Sequence, residues 1–262
     1  MRCFALILFA LCTPLLAQTR TEVDVELFLA VDVSRSMQPY ELEIQRRGYA
    51  AALSSPEVQN AIASGPLGRV AITYVEWAGA WEQRTIVPWT LISTPQDARS
   101  VADALTIQFE DGMRRTSISA ALIHAAASIE ANSFNGLRKV IDVSGDGPNN
   151  MGAGVTAARD QVIDRGITIN GLPLMTRDDG LFSRWDIPDL DAYYAACVIG
   201  GPGAFVIPVT DWSEFEAAVR RKLVLEIGAL PERLYRAQAP TAYNCRTGEE
   251  IWERNSAIFS EP

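Results

Sequence analysis

Histidine and cysteine are scarce in this chain. Of 262 residues, four are cysteine and one, His124, is histidine. One histidine removes His-rich zinc sites and paired-imidazole catalysis, since both need a second imidazole. No acyl-transfer elbow accompanies His124, so no Ser-His-Asp set is indicated either. Positive charge is in deficit: 23 Lys and Arg stand against 32 Asp and Glu, a formal net charge of −9. That balance argues against broad electrostatic binding to nucleic acid or an anionic membrane. Neither G-x-x-x-x-G-K-[ST] nor G-x-G-x-x-G occurs, so no nucleotide-cradling loop is indicated. The longest apolar stretch after the N-terminal region, Ala195 to Val209, is broken by Gly200-Gly201-Pro202-Gly203 and cannot be a membrane span. Repeats, low-complexity runs, heptads and N-glycosylation sequons are missing. What remains, at 48% hydrophobic and 21% charged residues, is an ordinary globular chain able to build a core without staples.

The first residues read as a secretory signal peptide. Arg2 precedes an apolar stretch from Phe4 to Leu16, and the small residue Ala17 precedes Gln18. That stretch is shorter than the roughly 17–25 residues that cross a bilayer. Cys12 follows Leu11 rather than a small residue, which argues against a lipid anchor. Cleavage of residues 1–17 predicts a periplasmic or secreted protein with no membrane span in its mature chain. Cys197 and Cys245 are then the remaining cysteines, and in an oxidising compartment they are expected to pair. Such a bridge, tying the C-terminal tail to the body, is worth roughly 4 kcal/mol on the loop-closure model.

Strands and helices alternate along the mature chain. Val23 to Val33 is an apolar, β-branched run of the kind covered on both faces. Leu42, Tyr49 and Leu53 recur at helical spacing, and Ser55-Pro56-Glu57 restarts a short helix. Arg69 to Trp77 and Arg84 to Ile92 predict two antiparallel strands joined by a turn around Gly79. Trp77, Trp81 and Trp89 cluster on this pair, where packing is their default role. Thr94-Pro95-Gln96-Asp97 starts a helix to about Ile107, and Ile118 to Ile129 marks another. Lys139 to Ser144 predicts a strand, Val155 to Val162 a helix, and Ile167 to Leu174 a strand. Ala204 to Val209 reads as the last strand. Asp211 with Glu214 reads as a capping box opening a helix through Ile227. The pattern predicts an α/β fold: a mainly parallel central sheet with one antiparallel edge strand and helices on both faces. The domain is expected over residues 21–230, with a proline-punctuated tail over 231–262.

Three separated segments carry one chemical idea. Asp32-Val33-Ser34-Arg35-Ser36 leaves the first strand at its carboxyl end, where open α/β sheets bind ligands. Thr116 stands just before an apolar helix. Asp146 stands between Gly145 and Gly147 where the KVIDVS strand ends. Two carboxylates and three hydroxyls make an all-oxygen set, which selects a hard cation such as Mg²⁺ or Mn²⁺ over zinc or copper. Two carboxylates neutralise a dication while hydroxyls donate weakly. An open coordination position would then attract a carboxylate from a partner.

DVSRS, the Thr116 segment TSISAAL and SGDG resemble the metal-ion-dependent adhesion site of von Willebrand factor type A domains. The resemblance covers roughly residues 23–230 and is nearest to a bacterial exported subgroup whose function is not established. It implies that Asp32, Ser34, Ser36, Thr116 and Asp146 hold the metal, the serines and threonine directly and the aspartates often through water. It implies a protein-binding role, adhesion or scaffolding, rather than an enzyme. Arg35, Arg114, Arg115, Asn149 and Trp185 fall beside the site and are candidates for a partner-selecting rim, with the arginines suited to an acidic partner. The segment Arg177 to Asp191 would extend that rim. A metal-free structural adhesin domain is the alternative. A Mg²⁺-dependent phosphohydrolase also places an Asp at the end of its first parallel strand, but the usual D-x-D is interrupted here by Ser34. Mass spectrometry of the exported chain without reductant should find no alkylatable thiol at Cys197 or Cys245.

Overall fold

A computed structural model of the chain describes residues 19–107, 112–176, 187–228 and 243–260. The central strand, β1 (Thr21–Asp32), is buried from Val23 onward. It lies between β2 (Val70–Trp77) on one side and β4 (Phe134–Gly145) on the other, parallel to both. Strand periodicity divides its side chains between two cores. Val25, Leu27, Leu29 and Val31 enter one, while Phe28 and Ala30 enter the other. β3 (Gln83–Ile92) pairs antiparallel with β2 at one edge, and β5 (Thr168–Pro173) pairs parallel with β4 at the other. The strand order is β3-β2-β1-β4-β5. The sheet is therefore mainly parallel with one antiparallel edge strand.

Among the described residues the helices are α1 (Pro39–Ser54), α2 (Pro56–Ala63), α3 (Pro95–Thr106), α4 (Ile118–Ala131), α5 (Val155–Ile163), α6 (Leu190–Tyr193), α7 (Phe215–Ile227) and α8 (Thr247–Ser260). α6 runs on into a π-helical turn, Tyr194–Val198. α1, α2, α3 and α7 bury apolar side chains in the core on one face, and α4, α5, α6 and the π-turn in the core on the other. Local chemistry sets the starts. Pro56 and Pro95 occupy first-turn positions where a missing N–H is harmless. The Ser55 hydroxyl accepts from the Val58 amide at 3.3 Å, and Thr94 and Asp97 cap each other reciprocally.

Two local expectations are corrected. Ala204 to Val209 forms no strand of its own and touches the sheet through isolated bridges, Val206 to Gly171 and Val209 to Leu174. The approach is turned by Gly201 and Gly203, both at positive φ, and Pro208 has no amide to donate. Asp211 accepts from the Ser213 amide at 2.7 Å instead of forming a box with Glu214, and a 3₁₀ turn, Trp212–Glu214, precedes α7. The tryptophans also part company. Trp77 is buried and Trp89 donates to the Ser128 hydroxyl at 2.9 Å, whereas Trp81 is 88% exposed at the tip of the β2–β3 turn.

The packing of α7 against the sheet includes charge. Lys222 is fully buried, with its ammonium 2.8 Å from Asp142 on β4 and also paired with Glu226 one helical turn on. Asn170 of β5 donates to the same Glu226 carboxylate at 2.9 Å. Two carboxylates share one ammonium in a fully buried site, so the cluster favours a proton. Burial, and secondly the charge of Asp142, push the Glu226 carboxyl up to about 7.

Replacing Lys222 with Met strands two buried carboxylates. Urea denaturation should show a loss of about 3–5 kcal/mol. Between the ordinary Glu value of 4.5 and about 7, the folded chain holds a proton on Glu226 that the unfolded chain releases. This contribution to stability therefore falls as pH rises through that window. The slope should shrink in Glu226→Gln, measured as unfolding midpoint against pH, with the buried Asp32 and Asp142 carboxyls supplying what remains.

Candidate metal centre at the carboxyl edge of the sheet

Parallel register brings the two acidic segments together. Val31 of β1 is level with Ser144 of β4, so Asp32 and Asp146 leave neighbouring strands at the same edge. Asp32 is fully buried, and its Oδ1 accepts from the Ser34 amide at 2.6 Å. That tight turn brings Ser34 Oγ to 3.0 Å from Ser36 Oγ. Ser36 Oγ donates to Asp146 Oδ1 at 2.9 Å, and Ser34 Oγ approaches the same oxygen at 3.4 Å. The Gln45 side chain of α1 donates to the Asp32 carbonyl at 3.0 Å and fixes the strand end from below.

Electrostatics at this edge call for positive charge. The Asp32 carboxyl is pushed well above the usual carboxylate range, first by burial and then by the charge of Asp146. The backbone amides of Ser34 and Asp146 act in the opposite sense. Among the described residues Asp32 Oδ2 is buried with no hydrogen-bond partner, and so is the Tyr194 hydroxyl of the π-turn. A Cβ on Gly145 would stand 2.8 Å from each of these two oxygens, so no side chain fits there. An orphaned carboxylate oxygen, a second carboxylate and two hydroxyls within hydrogen-bond reach of it suit a hard dication. Among the described residues no cluster of three or more His, Cys, Asp or Glu side chains is arranged to hold a metal. Hydroxyls must therefore supply part of any coordination here.

Thr116 is placed by the third segment. Its amide donates to Asn150 Oδ1 at 3.1 Å, and the Asn150 amide donates to the Thr116 carbonyl at 2.9 Å. The Met113 amide donates to the Val33 carbonyl at 2.8 Å, so this loop also docks beside Ser34. Among the described residues no hydrogen bond joins the Thr116 hydroxyl to Asp32, Ser34, Ser36 or Asp146. Ser117 next to it caps α4, accepting from the Ala120 amide at 3.3 Å.

The proposed rim divides. Arg35 and Arg114 are exposed. Arg115 adopts a left-handed backbone, φ 73°, and lays its guanidinium 3.3 Å from the centroid of the Trp252 ring on α8. Asn149, expected on the rim, is buried instead. It accepts from the Ser119 amide at 3.0 Å and donates to Glu249 of α8 at 2.7 Å. An asparagine at a loop with four possible hydrogen bonds was drawn inward because buried amides must be satisfied. Trp185, with the rest of 177–186, lies outside the described residues. Cys197 of the π-turn and Cys245 are joined by a disulfide. Sequence reasoning missed Tyr194 and the whole of α8. The pairing of Cys245 was the one signal that the tail returns to this region.

No curated protein sequence matches the chain. Solved structures share its fold. Proximal thread matrix protein 1 from the mussel byssus has a TM-score of 0.54 at 16% identity, over 79% of this chain and 49% of that one. Another crystal structure of that protein has a zinc-occupied MIDAS motif. The pilus adhesin SpaC from Lactobacillus rhamnosus GG has a TM-score of 0.55 at 13% identity, over 80% and 31%. A von Willebrand factor type A structure from Catenulispora acidiphila has a TM-score of 0.51 at 15% identity, over 79% and 43%. The chain thus spans about half or less of the length of these proteins. At such identities they show the fold, which is of the von Willebrand factor type A kind. A family model matches residues 22–231, and on that match the chain belongs to the family described as protein of unknown function DUF1194.

Proposed function

We propose that this chain is an exported, metal-dependent protein-binding module, an adhesion or scaffold domain, and not an enzyme. The observation that carries the reading is the oxygen cluster at the sheet edge: Ser34 Oγ and Ser36 Oγ on Asp146 Oδ1, beside the buried Oδ2 of Asp32, which has no hydrogen-bond partner among the described residues. Asp32, Ser34, Ser36, Thr116 and Asp146 would hold a Mg²⁺ or Mn²⁺ ion. When bound, the ion supplies an electrophilic centre suited to a carboxylate oxygen of a partner. The chain's own residues do the rest. Asp32 and Asp146 would balance the positive charge, and the serine hydroxyls, already turned toward Asp146, need little reorganisation. Arg35 and Arg114 at the same edge favour an acidic partner and speed its encounter.

Binding is favoured over catalysis by what surrounds the cluster. His124, the lone imidazole, sits along α4 with its ring 6.1 Å from that of Phe28, well down the strand from Asp32. The zinc-occupied MIDAS motif of the mussel protein supports divalent-metal binding on this fold. We assign residues 1–17 to a cleaved leader, 21–230 to the domain and 231–262 to a disulfide-tied tail, in the periplasm or outside the cell. The Cys197–Cys245 bridge suits an oxidising compartment. Among the described residues no helix is long and apolar enough to cross a membrane.

Asp32→Asn tests the metal directly, because it removes the repulsion with Asp146 while keeping the acceptor for the Ser34 amide. Without metal its melting temperature should equal or exceed that of the wild type. Millimolar Mg²⁺ or Mn²⁺ should raise the wild-type melting temperature and leave the variant unmoved. Capture of a partner from the native exported fraction should fail when chelator is added. Capture indifferent to chelator would sink the reading.

A further inference from the structure

The C-terminal segment 243–260, α8 with the four residues before it, lies beyond the family match, which ends at residue 231, yet it touches the candidate metal centre's supports at three places. The first is the loop after β4. Asn149 donates to Glu249 Oε1 at 2.7 Å, and Gly248 packs so closely on the Asn149 carbonyl that a Cβ there would overlap it. Asn149 is three residues from Asp146 and in turn accepts from the Ser119 amide at 3.0 Å, linking this loop to the start of α4. The second is the Thr116 loop. Trp252 holds the Arg115 guanidinium over its ring at 3.3 Å, at a residue whose left-handed backbone, φ 73°, needs outside support.

The third contact is covalent. Cys245 is bonded to Cys197 in the π-turn that also carries Tyr194. The Tyr194 hydroxyl and Asp32 Oδ2 each lie 2.8 Å from the position a Gly145 Cβ would take, so the two sit side by side beneath the site. The neighbouring Tyr193 receives a hydrogen bond on its hydroxyl from the Asn149 amide at 3.1 Å, and its ring meets that of Tyr243, whose centroid is 6.0 Å away. Ile251 and Asn255 are the buried face on which α8 rests. Residues 243–260 therefore bear on the supports of Thr116 and Asp146 directly, and on the neighbourhood of Asp32 through the Cys197–Cys245 bridge.

From these contacts we infer that residues 243–260, with α8 at their centre, are a positioning clamp for the metal centre, built into the chain from outside the family match and locked by the Cys197–Cys245 bridge. Glu249, Trp252 and Tyr194 are its positioning residues. The clamp holds the three loops in register before any ion arrives, which lowers the reorganisation that metal binding requires. The inference rests on the metal-binding reading for its purpose but not for its physical content, since the clamp acts on the metal-free loops.

Hydrogen exchange on the full-length, metal-free protein reads the clamp, and calorimetric titration with Mn²⁺ reads its consequence. Trp252→Ala, and Cys197→Ser combined with Cys245→Ser, should speed amide exchange at 32–36, 113–117 and 146–150, with β2 and β3 unchanged. Mn²⁺ affinity should fall by about 10–100-fold, as for other losses of support behind metal ligands. Glu249→Ala should behave alike, while Glu249→Gln keeps the acceptor for Asn149 and should restore near wild-type exchange. If the cysteine pair variant does not unfold cooperatively, Trp252→Ala decides alone. Faster exchange confined to residues 243–260 would overturn the clamp. Absence of Mn²⁺ binding in the wild type would instead overturn the metal reading and leave the exchange result to judge the clamp.

Discussion

Two carboxyl groups, one fully buried and one half-buried, end neighbouring parallel strands at the same edge of the sheet. Asp32 is fully buried, Asp146 faces it, and one oxygen of Asp32 has no hydrogen-bond partner among the described residues. A lone buried carboxylate is expensive, and a second beside it makes matters worse. Everything at this edge reads as accommodation of that pair. The Ser34 amide and the serine hydroxyls satisfy what they can reach, Gly145 leaves room, and the remaining deficit is one of positive charge.

The fold makes such a concentration of acid tolerable by fixing its supports elsewhere. β1 is paired with β4 up to Val31 and with β2 from Val25 through Asp32, so the backbone that presents Asp32 is held in place beside the end of β4. Below it, α7 is fastened to β4 by the Lys222–Asp142–Glu226 cluster. Arg46 of α1 meets Glu76 of β2 at 2.6 Å, and Arg84 of β3 meets the same carboxylate at 2.5 Å. These buried ion pairs contribute less to stability than to register, because their desolvation offsets much of their attraction. Register is what the edge needs, since a slip of one residue would turn Asp32 to the other face of the sheet.

Much of this was legible in the residues. The continuous apolar run Val23–Val33 announced a strand covered on both faces, and the central position of β1 is its explanation. Pro56 and Pro95 marked helix starts to the residue. The Ala204–Val209 run misled because hydrophobicity reports burial, while a strand also needs donors, and glycines and Pro208 interrupt them there. Asn149 misled in the opposite way. A polar loop residue looks exposed in sequence, but here it is buried because Ser119 and Glu249, far away in the chain, satisfy it.

Residue type and short-range spacing were enough to give the strand-helix alternation, the oxygen chemistry of D-x-S-x-S, Thr116 and Asp146, and the candidate pairing of Cys197 with Cys245. Tertiary structure alone decided that Tyr194 lies beside Asp32, that Arg115 spends its charge on Trp252, and that α8 returns to the edge of the sheet. Those outcomes join residues up to a hundred or more positions apart, and no local pattern encodes which distant group will satisfy a buried donor or fill the space beside a glycine.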